Sequence, residues 1–142
     1  MVSTKRWLRA WPLFLAACMT IGPQELLGAA TPNLRGNWTG TFTSNHSYVP
    51  SFTLSVTITS DSSGRVVGNS TLTSGCLKNA KLQISITGSS VVMAGSDGKG
   101  NNMTVRGTLD STETLLPSTY ILNGSQGGGC ETDDGTGTLE KR

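Results

Sequence analysis

Residues 34–43 read LRGNWTGTFT. Leu34, Gly36, Trp38, Gly40 and Phe42 fall on one face, and Arg35, Asn37, Thr39, Thr41 and Thr43 on the other. That period of 2 is the signature of a half-buried β-strand. Trp38 is the only tryptophan after position 11, so the core is expected to form around it.

The same alternation recurs along the chain. Residues 52–59, FTLSVTIT, place Phe52, Leu54, Val56 and Ile58 inward and Thr53, Ser55, Thr57 and Thr59 outward. The turn residues Asp61, Ser62, Ser63 and Gly64 follow, which predicts a hairpin. Further strands are expected at 65–73, with Val66, Gly68, Ser70 and Leu72 on one side, and at 80–87, with Leu82, Ile84 and Ile86 inward. The remaining strands fall at 91–95, 102–109, 115–123 and 132–140. Gly135, Gly137 and Leu139 share one face of the last. Pro117 lacks an N–H and is expected at a sheet edge or a bulge.

Eight strands with one apolar face each, and no amphipathic helix, define an all-β antiparallel fold. A small closed or partly open barrel buries every apolar face at once and removes exposed edges. The alternative is a β-sandwich. The chain has 142 residues, 6% aromatic and 14% charged, which suits one domain of short strands joined by polar turns.

From residue 31 onward Lys and Arg number eight, matched by eight Asp and Glu. No basic patch is available for a phosphate backbone, so nucleic acid is not an expected partner. No P-loop, nucleophile elbow or H-E-x-x-H appears, and neither a catalytic group, a metal nor a cofactor is expected. The lone His46 reads as an exposed loop residue. Glu131, Asp133 and Asp134 read as a solvated turn, although crowded carboxylates can also hold Ca²⁺.

Cys76 and Cys130 precede the strands at 80–87 and 132–140, both in Gly-containing loops. In an exported protein they are expected to form a disulfide.

The first residues suggest export. Lys5, Arg6 and Arg9 precede a short apolar run at 10–17, too short to cross a bilayer, which needs about 20 apolar residues. Leu15-Ala16-Ala17-Cys18 resembles the lipobox of bacterial lipoproteins. That resemblance implies a signal peptide over 1–17, Cys18 as the lipid anchor and a tether over 18–33, ahead of the barrel that the alternation places at 34–142. It implies a cell-envelope location at the outer (or cytoplasmic) membrane. Gly28-Ala29-Ala30 offers a second cleavage site, with a signal over 1–30 and a periplasmic or secreted protein.

Gly36-Asn37-Trp38 at the start of an eight-strand pattern resembles the G-x-W signature of the lipocalin and avidin (calycin-like) barrels. The resemblance implies that Trp38 plugs one barrel end and that the other end holds a small apolar ligand. The later tryptophans of the avidin pocket have no counterpart here. The chain style also resembles small exported β-proteins of environmental bacteria. The expected role is an envelope lipoprotein whose barrel is a structural or partner-binding module; the alternative is a carrier of a small apolar ligand.

Overall fold

The structure, a computed structural model, describes residues 30–72, 76–127 and 129–142. Cys18 and the signal and tether residues up to 29 lie outside the described residues. The described residues form eight strands: β1 (Gly36–Ser44), β2 (Phe52–Ser60), β3 (Val66–Leu72), β4 (Ala80–Thr87), β5 (Ser90–Ser96), β6 (Asn102–Thr108), β7 (Leu115–Asn123) and β8 (Asp133–Lys141). Each pairs antiparallel with the next, and β8 pairs back onto β1, so the sheet is a closed barrel rather than a sandwich. Among the described residues no helix is long and apolar enough to cross a membrane.

The inward rows are those the alternation predicts. Trp38, Phe42, Leu54, Val56, Ile58, Leu82, Met93, Val105, Leu116, Tyr120 and Leu139 are all buried. Burying each of these larger apolar side chains contributes about 1.5–3 kcal/mol. The outward hydroxyls form a polar coat and bond across strands: Thr57 donates to Asn37 Oδ1 at 3.0 Å, and Thr39 meets Ser55 at 3.3 Å.

Closure depends on glycine. β1 and β8 share one register from Trp38↔Lys141 to Ser44↔Gly135, interrupted around Gly40. A Cβ on Gly40 would stand 1.9 Å from the Thr138 carbonyl oxygen. On the other strand, a Cβ on Gly137 would stand 2.5 Å from the Phe42 ring. Bare backbone at both sites lets the two terminal strands meet.

Pro117 does not lie at an edge, because a closed barrel has none. The β6–β7 pairing stops at Gly107↔Ser118, one residue short of it, while β8 continues alongside through Pro117↔Thr138. The missing N–H therefore falls where the ladder toward β6 has already ended.

The barrel has two unlike ends. The lower end carries the connections after β2, β4 and β6, and the chain before β1 crosses it. Trp38 Nε1 donates to the Leu34 carbonyl at 2.8 Å, and both side chains are buried. Lys141 Nζ donates to the Asn33 carbonyl at 2.7 Å and lies 5.7 Å from the Trp38 ring centroid. The upper end carries the loops after β1, β3, β5 and β7.

Two predictions follow from closure and from the lower turns. Gly40→Ala must push β1 away from β8, because a carbonyl oxygen cannot rotate aside; a loss of about 3 kcal/mol or more is expected in urea unfolding. At the turns, Asp61 is held down at about 2, chiefly by the Ser63 hydroxyl. Asp110 is likewise held at about 2, chiefly by the Thr112 hydroxyl and then the Leu115 N–H. Because both folded values are depressed, their contribution is complete above the unfolded carboxylate value near 4. It is lost as pH falls from about 4 through about 2. The melting temperature should therefore drop over that window, and the Asp61→Asn, Asp110→Asn double variant should show a shallower drop.

Candidate functional site

An apolar cleft opens in the barrel wall at its lower end. β3 and β4 share only four paired positions, ending at Val67↔Gln83. The cause is local. The Asp61–Arg65 turn, closed by Asp61 N–H to Arg65 O at 2.8 Å, limits β3 to a start at Val66. β4 continues alongside β5 to Thr87↔Ser90. Residues 84–87 of β4 thus have a strand on one side only.

Where the strands part, the inward row is uncovered. Val66, Ile84 and Ile86 belong to that row yet are only half-buried. They line a cleft of about 410 Å³ with Gly64, Val67 and the polar rim of Arg65 and Gln83. That volume falls within the range of small-molecule sites. The floor is filled: a Cβ on Gly68 would meet Val56 at 3.1 Å and Ile84 at 3.3 Å. The Arg65 guanidinium is held at the rim by Asp61, Nε to Oδ2 at 2.9 Å.

The upper end holds a second, smaller feature. Cys76 and Cys130 stand at disulfide distance, with Cα atoms 5.2 Å apart, and join the β3–β4 loop to the β7–β8 loop. A bridge closing 54 positions contributes about 4 kcal/mol in the chain-entropy account. Beside it Leu77 is buried at φ 52°, a left-handed conformation that a leucine rarely adopts. Beneath lies a pocket of about 180 Å³ lined by Phe52, Leu72, Leu122, the two cysteines, Glu131 and Asp133.

Asp133 departs from the expectation of a solvated acidic turn. It is 4% exposed and points inward at the start of β8. The Tyr120 hydroxyl donates to one carboxylate oxygen and the Ser44 hydroxyl to the other. Burial first, and then the Asp133 carboxylate, push the Tyr120 hydroxyl well above its ordinary value, so it remains a donor. Phe42, Phe52 and Tyr120 pack around this group, the Tyr120 ring edge-on to both phenyl rings at 5.6 and 5.1 Å.

Asp134, one residue on, faces outward. Asn45 donates to it at 2.6 Å and His46 Nε2 lies 3.0 Å from it. These two contacts, Asn45 foremost, hold its carboxyl below the usual carboxylate range. His46 is thus an exposed loop residue, paired with an acid. Ser44 does not join them as a nucleophile, since its hydroxyl is committed to Asp133. Asp133 and Asp134 diverge, and among the described residues no group of three or more His, Cys, Asp or Glu is placed to hold a metal.

Trp38 and the cysteine pair therefore lie at opposite ends of the barrel. Asp133 shares the inward row of Gly135, Gly137 and Leu139, a signal masked in the sequence by its acidic neighbours Glu131 and Asp134. The cleft had no such signal, since it arises from unequal strand pairing.

No protein-family model matches the chain, and no curated protein matches it. A solved structure titled "Structure of EF1p2_mFAP2b bound to DFHBI" is similar, with a TM-score of 0.56 and 16% identity, over 77% of this chain and 94% of that one. At that identity the likeness is one of fold.

The Tyr120–Asp133 contact yields a direct test. Tyr120→Phe deletes a donor to a buried carboxylate and should cost about 1–3 kcal/mol in chemical denaturation. Thr119→Val, on the exposed face of the same strand, should change stability by less than about 0.5 kcal/mol.

Proposed function

We propose that the protein is an exported, non-catalytic binding module that takes a small apolar ligand through the side of its barrel, in the β3–β4 cleft. The observation that carries this reading is the half-buried row of Val66, Ile84 and Ile86, inward-facing side chains that no strand covers. An apolar ligand of modest size would complete their burial, and the Gln83 amide or Arg65 could meet a polar end. The solved barrel of similar fold is, by its title, bound to DFHBI, which supports a barrel of this shape as a holder of small molecules. The lower end is packed, with Trp38 and Leu34 both buried and joined by a hydrogen bond, which argues for entry from the side of the barrel rather than through that end.

Export and anchoring rest on the leader. Its basic start, short apolar run and Leu15-Ala16-Ala17-Cys18 support a lipid on Cys18 and a place in the cell envelope. The packed interior also favours a second reading, an envelope-structural or partner-binding barrel with no ligand of its own.

Fluorescence titration with N-phenyl-1-naphthylamine separates the two. The ligand reading expects saturable binding at one site per chain, weakened at least tenfold by Ile86→Glu in a variant that still melts cooperatively. Unsaturable binding, or equal binding by the variant, would contradict it and leave the structural reading. Intact mass of the protein from its host should give an acylated N-terminus at Cys18; a start at Thr31 without acyl mass would contradict the anchor.

A further inference from the structure

The upper pocket combines features that do not belong together in an ordinary core. Its walls are apolar: Phe52, Leu72, Leu122 and the disulfide. Yet one of its lining residues is an acid, Asp133, that is 4% exposed, and a second acid, the exposed Glu131, stands at its rim. Among the described residues neither acid forms an ion pair. The two contacts to Asp133 come from neutral hydroxyls, Tyr120 and Ser44.

A buried carboxylate is costly unless its charge is matched. Two hydroxyl donors occupy two of about four acceptor positions on a carboxylate. They satisfy hydrogen bonding in part but supply no opposite charge. Asp133 lines a pocket of about 180 Å³, the liquid volume of about six water molecules. That is room for a group of about five or six non-hydrogen atoms with one cationic end.

We propose that this pocket is a binding site for a small alkylammonium ion, or for an ammonium group at the end of a larger ligand. The cationic nitrogen sits against Asp133, with Glu131 reinforcing the field. The alkyl portion packs on Phe52, Leu72 and Leu122. Tyr120 and Ser44 act as positioning residues, holding the carboxylate in one orientation. The disulfide fixes the two loops that form the wall. This site lies at the opposite end of the barrel from the β3–β4 cleft, so the two proposals stand or fall separately.

The test is an NMR titration of the intact, oxidised protein with n-butylammonium chloride and, in parallel, with 1-butanol, its uncharged analogue of similar shape. The proposal expects amide shifts centred on Leu72, Leu122 and Cys130, with millimolar affinity at least tenfold tighter for the cation. Added NaCl should weaken the cation and leave the alcohol unchanged. Asp133→Asn should erase the preference, and Glu131→Gln should reduce it by a smaller factor. Equal affinity for the two probes in the wild-type protein would overturn the proposal, whether or not Asp133→Asn folds. So would shifts centred on the exposed acids of the lower turns.

Discussion

The close approach of β1 to β8 is the contact on which the rest depends. A meander of eight amphipathic strands buries its apolar faces fully only when the last strand meets the first. Here that meeting occurs over backbone with no Cβ, at Gly40 against the Thr138 carbonyl and at Gly137 beneath the Phe42 ring. Seating Phe42 over Gly137 places it against Phe52 and Tyr120. Tyr120 in turn reaches Asp133, on β8 itself. Closure, the aromatic cluster and the buried acid form one chain of consequences.

Much of this was legible in the amino-acid order, because a strand with one wet face writes its burial directly as alternation. Leu54, Val56 and Ile58 on β2, and Leu116, Tyr120 and Leu122 on β7, are buried as their spacing requires. The all-β class and the strand positions followed, with ends differing by one or two residues. Leu34 shows the limit at an end: it extends the inward row of β1 yet lies outside the strand, in the segment that crosses the lower opening.

What was hidden depended on partners far away in the chain. Asp133 continues an inward row, but a charged residue beside Asp134 and Glu131 reads as a turn until Tyr120 and Ser44 are seen to receive it. Leu77 takes a backbone conformation that no propensity favours, held in a loop tied down by the disulfide. The cleft reflects the different lengths over which β3 pairs with β2 and with β4. Its residues, Val66, Ile84 and Ile86, look identical in sequence to fully covered core positions.

The functional reading follows from that division. An ordinary packed barrel would offer little, but this one leaves apolar side chains uncovered in its wall and a buried acid beside a pocket near its upper end. Closure is the claim beneath both, and amide-to-amide NOE spectroscopy across the β1–β8 seam tests it most directly. The account predicts cross-strand NOEs near Thr39 with Glu140 and near Thr43 with Thr136, together with slow exchange of the seam amides. Absence of those NOEs, with rapid exchange along β8 while β2 stays protected, would contradict a closed barrel.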